Sequence, residues 1–149
     1  MSQSAKSVAV AYLARRDYSR QQIHKKLLEK DFEELAIQQA LDYCESQGYL
    51  DDMRYAQMLI RSHIYKCHGV MRIQQALVQK GLSKDVIKTA IDQCDCDWFE
   101  LAKQKAVKKY GTPHTKDLKE KNRRIRHLVG QGFSFDQVAY ALDYDPYDE

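Results

Sequence analysis

His63 and Cys67 stand four residues apart, with His68 next to Cys67, a spacing that puts two metal-ligating side chains on one face of a helix. Cys94 and Cys96 lie further along, but no second pair has zinc-finger spacing and no C-x-x-C occurs. Cys44 and Cys94 fall at matching places of an internal repeat, which marks both as packing residues rather than ligands. Among the carboxylates, Asp51 and Asp52 are adjacent, and Asp95, Asp97 and Glu100 are close together. Adjacent residues at a helix start do not face each other, so capping is their expected role. Gly-x-Ser-x-Gly, a Walker phosphate loop, Gly-x-Gly-x-x-Gly and His-Glu-x-x-His are missing. No catalytic residue, metal or cofactor is expected, and the chain does not read as an enzyme.

The basic residues remain. Lys103 to Arg126 holds ten Lys/Arg against Asp117 and Glu120, a local charge of +8. The rest of the chain carries 14 basic and 19 acidic residues, a balance of −5 that hides the segment behind a net +3. Within the segment, Lys105, Lys108 and Lys109 run along one helical stretch and Lys119, Lys121, Arg123, Arg124 and Arg126 along the next. A second cluster is Arg15, Arg16, Arg20, Lys25 and Lys26, and a dispersed third set is Arg54, Arg61, Lys66 and Arg72. Such asymmetry suits a partner bearing phosphates or carboxylates, with a solvated helix surface as the plainer reading. The ten tyrosines, Tyr12, Tyr18, Tyr49, Tyr55, Tyr65 and Tyr110 among them, read mainly as packing between helices; some are candidates for stacking on bases.

The elements that position these residues come from a repeat. Ile23, Leu27, Leu28, Lys30 and Phe32 recur fifty residues later as Ile73, Leu77, Val78, Lys80 and Leu82, and Ile37, Ala40, Leu41 and Cys44 as Ile87, Ala90, Ile91 and Cys94. A third copy follows after fifty-one more, with Leu128, Val129, Gly132, Phe133, Ser134, Val138, Ala141 and Leu142. Apolar residues inside each copy fall at i, i+3, i+4 and i+7, which predicts helices, and no period-2 strand pattern occurs. Gly81-Leu82-Ser83 and Gly132-Phe133-Ser134 each read as helix stop, apolar pin and N-cap, with Asp31-Phe32-Glu33 in the first copy. Leading helices are expected over about residues 7–15, 53–65 and 98–110, the last two closed by Gly69 and Gly111. The expectation is an all-α chain of three tandem three-helix repeats, residues 1–48, 49–95 and 96–149, the last ending in a short acidic tail. One unit of that size buries little apolar surface, so neighbours must share a core; an elongated, curved, solenoid-like molecule is expected. Glycines number only 6 and prolines 2, against 44% apolar residues, which excludes collagen-like and wholly disordered chains. No run approaches the roughly 18–20 apolar residues of a membrane span, and the first residues lack a signal-peptide core. A cytoplasmic protein with reduced thiols is expected.

Gly48-Tyr49-Leu50-Asp51-Asp52-x-Arg54-Tyr55-Ala56 resembles the signature of the bacterial RecX regulatory family. So do Gly69-x-x-Arg72-Ile73-x-x-x-Leu77-x-x-Lys80-Gly81-Leu82-Ser83 and Arg16-Asp17-Tyr18-Ser19-x-x-x-Ile23-x-x-Lys26-Leu27. Val70 stands where that family often has Pro, Ala76 where an acid is common and Asp31 where Gly is usual. The resemblance implies tandem three-helix repeats that bind RecA and lie in the groove of its filament on single-stranded DNA. It also implies restraint of filament extension, strand exchange, ATP hydrolysis and co-protease activity, without a catalytic centre. On this reading the RecA- or DNA-facing residues are Lys105, Lys108, Lys109, Arg123, Arg124, Arg126, Arg15, Arg16, Arg54, Arg61 and Arg72, on a monomer with no membrane partner. The alternative is a nucleic-acid-binding helical module that acts alone through DNA phosphates.

Overall fold

The computed structural model describes residues 3–147; Asp148 and Glu149 of the acidic tail lie outside them. Among the described residues nine α-helices and no strands are found. They are α1 (Ala5–Arg15), α2 (Arg20–Glu29), α3 (Glu34–Ser46), α4 (Asp52–Tyr65), α5 (Val70–Gln79), α6 (Lys84–Gln93), α7 (Trp98–Tyr110), α8 (Leu118–Gly130) and α9 (Phe135–Leu142). No helix among them is long and apolar enough to cross a membrane.

The starts of these helices follow from small polar residues. Ser4, Ser19 and Ser134 accept from the amides three residues on, and Ser19 and Ser134 complete capping boxes with Gln22 and Gln137. Asp97 caps α7, and Asp51 caps α4 through the Arg54 amide at 3.0 Å. Asp52 acts at a distance instead. Its carboxylate accepts from the Arg20 amide at 2.8 Å, so it caps α2 across the fold. Burial pushes the Asp52 carboxyl above its ordinary range, with Glu45 and Asp51 acting the same way and the Arg20 amide opposing.

The stops match the expected grammar in part. Gly81 and Gly132 take the left-handed conformation, at φ +85° and +102°, and Leu82 and Phe133 behind them are buried. Asp31 does the same work at φ +65° without being glycine. Gly69 does not close α4. That place is taken by Cys67 at φ +58°, whose amide reaches Ile64 O at 2.8 Å while the His68 amide reaches His63 O at 3.0 Å. The Cys67 side chain is buried in the core, which offsets its backbone strain. Cys94 also departs from expectation: α6 stops at Gln93, so Cys94 lies past the helix and is only half-buried, whereas Cys44 is fully buried.

The chain forms two compact units. The first comprises residues 1–58 and 77–90, the second 59–76 and 91–149, so the helices of the middle repeat are divided between them. In the first, α1, α2 and α3 pack around Ile23, Leu27, Ile37, Leu41 and Cys44. In the second, α7 and α8 pack on α9 around Leu101, Ala106, Leu128, Val138 and Leu142, with Cys67 among them.

Each unit contains the same joint. In the first, the Ser19 hydroxyl at the start of α2 donates to Lys80 O, at the end of α5, at 2.6 Å. In the second, the Gly69 amide at the start of α5 donates to Gln131 O, at the end of α8, at 2.8 Å, and the Met71 amide donates to Gly132 O at 3.1 Å. Ser19 and Gly69 are equivalent in the repeat, as are Lys80 and Gln131. Donors at the start of one middle helix thus meet free carbonyls at the end of the next repeat's middle helix, satisfying both. In the second joint the backbones lie so close that a Cβ on Gly69 would come 2.3 Å from the Gly132 carbonyl carbon.

Candidate functional site

The densest basic surface is built on α7 and α8 in the second unit. Lys108, Lys109 and Arg126 are exposed on it, and Lys105 is half-buried. Arg123 is mostly exposed and ion-paired with Glu120 at 3.0 Å, one helical turn away. Arg124 points elsewhere. Its side chain is only 14% exposed, bonds Glu120 at 3.0 Å, and reaches the carbonyls of Thr112 and Pro113 at 2.9 and 2.8 Å. Its guanidinium also lies 4.3 Å from the Tyr110 ring centroid. Arg124 clamps the α7–α8 loop and is not free to meet a partner.

The third, dispersed set divides. Arg54 lies in the first unit, donating to Gly48 O at 2.8 Å and Tyr49 O at 3.1 Å and pairing with Asp17 at 3.0 Å. It ties the Gly48-Tyr49 turn to Asp17, linking two of the motifs noted in the sequence. Arg61, Lys66 and Arg72 belong to the second unit. Arg61 and Lys66 are exposed, the Lys66 carbonyl oxygen lies 3.4 Å from Lys105 Nζ, and Arg72, Lys105 and Lys66 all bear on His68. In the first unit Arg15 and Arg16 are exposed, Arg16 standing 4.8 Å from the Tyr18 ring centroid. Arg20 of that cluster is committed to the fold through Glu45 at 2.8 Å, Asp42 at 3.0 Å and Gln38 at 2.8 Å.

Sequence reasoning missed the group at the end of α4. The left-handed turn at Cys67 brings His68 onto His63, with their Nδ1 atoms 2.8 Å apart, so His63 meets His68 and not Cys67. The signal available was the i, i+5 spacing; the approach of Lys105 depends on packing that spacing does not encode. The His68 imidazole is pushed down to about 4, by burial first and then by Arg72, His63, Lys105 and Lys66. His127 on α8 is lowered too, by burial and then by Lys109 and Lys105.

The tyrosines mostly pack as expected. Tyr55 is fully buried, Tyr12 meets Tyr18 edge-on, and Tyr110 lies under Arg124, whereas Tyr65 is exposed. An apolar position recurs as well. Leu28, Val78 and Val129 are equivalent residues of the three middle helices, and all three are exposed, at 46%, 57% and 38%.

Three family models match the chain in succession: the RecX first three-helix domain over residues 5–44, the second over 51–91 and the third over 95–142. A regulatory protein RecX of Vibrio parahaemolyticus is 43% identical over 97% of this chain and 94% of its own length. One of Shewanella oneidensis is 50% identical over 73% of this chain and 97% of its own length. A crystal structure of regulatory protein RecX covers 93% of this chain and 70% of its own, at a TM-score of 0.78 and 28% identity. A RecX structure from Lactobacillus salivarius shares the fold at a TM-score of 0.80, over 93% of this chain and 92% of its own, at 21% identity. With matching models over most of its length and relatives of this similarity, the chain belongs to the RecX family of regulatory proteins.

Proposed function

We propose that this chain is a non-enzymatic regulator that binds RecA and its filament on single-stranded DNA and restrains recombinase, ATPase and co-protease activity. It acts in the cytoplasm as a monomer, each repeat (1–48, 49–95 and 96–149) supplying one docking unit. The observation that carries the reading is the recurrence of an exposed apolar residue, Leu28, Val78 and Val129, at one place in all three repeats of a RecX-family chain. One exposed apolar side chain is ordinary, but the same position exposed in all three repeats suits a partner that itself repeats, and an apolar contact suits a protein surface more than a phosphate. The basic face of Lys105, Lys108, Lys109, Arg123 and Arg126 supports the same partner, with Arg61, Arg72, Arg15 and Arg16 as secondary contacts. Arg54 and Arg124 serve the fold.

Charge reversal tests the assignment. Lys108→Glu with Arg123→Glu and Arg126→Glu keeps the helical circular dichroism but abolishes inhibition of RecA ATPase on single-stranded DNA. Reversing Arg15 and Arg16 weakens inhibition less. If the triple variant inhibits like the parent while the Arg15/Arg16 variant does not, the principal contact lies in the first repeat.

A further inference from the structure

The end of α4 gathers cationic and imidazole side chains from three elements. His63 and Lys66 come from α4 and the turn after it, Arg72 from the first turn of α5 and Lys105 from α7. The His63 and His68 rings lie with centroids 5.0 Å apart and share a hydrogen between Nδ1 atoms at 2.8 Å. Lys105 Nζ reaches Lys66 O at 3.4 Å, and Lys108 Nζ stands 3.8 Å from Cys67 Sγ, so two ammonium groups of α7 hang over the same turn. The ion pairs found among the described residues engage Arg20, His24, Arg54, Arg123 and Arg124, and none engages Lys66, Arg72 or Lys105. The charged or titratable groups that bear on His68 are Arg72, His63, Lys105 and Lys66, without a carboxylate among them. Like charges brought together in this way repel one another until an anion arrives.

We propose that His63, Lys66, His68, Arg72 and Lys105 form a phosphate clamp for the backbone of single-stranded nucleic acid, and that binding there takes up a proton. This rests on the nucleic-acid half of the reading above and does not require RecA. Donors converging from three elements suit a tetrahedral oxyanion: the Arg72 fork, two ammonium groups and imidazole N–H groups meet more acceptor directions than one carboxylate offers. The row also continues. Lys108 and Lys109 follow Lys105 by about one turn, roughly 5–6 Å along α7, so the surface presents serial charges to a serial polyanion.

The proton linkage follows from His68. Free of ligand it stays neutral down to about 4, against an ordinary value of 6.5, because burial and the surrounding cations oppose its charge. A bound phosphate reverses the sign of that field and lifts the imidazole back toward its ordinary value. Protonated His68 then adds one more charge-assisted donor, so affinity rises as pH falls. If phosphate restores the ordinary value, the gain between about pH 8 and about pH 6 is about fourfold.

Fluorescence anisotropy of a labelled oligothymidylate with the full chain, without RecA and at fixed ionic strength, tests this. The parent should gain about fourfold in affinity over that window, and His68→Gln should flatten the profile. Arg72→Gln with Lys105→Gln should weaken binding at every pH and reduce the salt slope by about 1.4, two single-strand phosphate contacts. Circular dichroism at each pH keeps folding separate from binding. A His68→Gln profile that follows the parent's overturns the proposal. So does unchanged oligonucleotide affinity in the double variant, and if that variant also loses RecA inhibition, the cluster faces an acidic protein surface. Loss of RecA inhibition by the parent itself would instead overturn the functional reading and leave the clamp standing.

Discussion

The joint between α5 and α8 lends itself to a stability measurement, because one methyl group distinguishes two costs. In Gly69→Ala the added carbon would stand 2.3 Å from Gly132 C, 2.4 Å from Gly132 O and 2.6 Å from Phe133 N. All three are backbone atoms of a turn whose own bonds, Gly132 N to Val129 O at 3.0 Å and Phe133 N to Leu128 O at 3.3 Å, resist displacement. Carbon atoms pack at about 3.5–4.0 Å, so the turn must retreat by more than an ångström. That retreat breaks the Gly69–Gln131 and Met71–Gly132 bonds at 2.8 and 3.1 Å. Overpacking costs about 1–3 kcal/mol, and each lost bond adds about 1 kcal/mol, for a total of about 3–5 kcal/mol. Gly111 in the same unit is the control: it has φ +70° and nothing within 4 Å of a built Cβ. Gly111→Ala therefore meets no clash and costs only the strain of an alanine held at φ +70°, ψ −71°, about 1–3 kcal/mol. Followed by thermal unfolding, Gly69→Ala should melt about 10 °C below the parent and Gly111→Ala a few degrees below. Equal melting temperatures for the two variants would refute the claim that backbone contact at this joint requires a glycine.

Other consequences are as direct. Leu77→Asp puts a carboxylate at a fully buried position of the middle repeat and should abolish cooperative unfolding by circular dichroism; a parent-like melt would contradict the repeat register. Tyr55→Phe removes a buried hydroxyl that has no hydrogen-bond partner among the described residues, so chemical denaturation should show stability unchanged or raised by about 1 kcal/mol. A loss of more than that would mean that the hydroxyl is engaged. His68 is depressed in the folded state, so the unfolded chain takes up the proton first as pH falls. Its contribution to stability is complete above 6.5 and lost between 6.5 and about 4. His68→Gln should therefore flatten the fall in melting temperature over that window, and a parent-like slope would assign it to other groups.

Local grammar was legible where one residue decides one turn. Gly81-Leu82-Ser83 and Gly132-Phe133-Ser134 became left-handed stop, buried pin and N-terminal cap because each role depends on the residue's own backbone preference and polarity. The repeat, and with it the all-helical family, was legible for the same reason: Leu27, Leu77 and Leu128 are buried at equivalent places. Gly69 misled because glycine after a helix usually marks its stop, whereas here the absent Cβ serves a contact with residues more than sixty positions away. Charge counting placed Arg124 beside Arg123, but the side-chain direction about 100° round the helix sends it to the loop carbonyls instead. The His63–His68 group was hidden because Lys105, far off in the sequence, reaches it only through tertiary packing.

On the function proposed above, a RecX-family chain with a repeated docking surface acts on RecA filaments. Titrating the full chain into RecA on single-stranded DNA while following ATP hydrolysis tests it most directly. Near-complete suppression is expected at ratios well below one chain per RecA, since one bound chain restrains a growing polymer. Undiminished hydrolysis at equimolar and higher ratios, with the chain folded and RecA active, would contradict it.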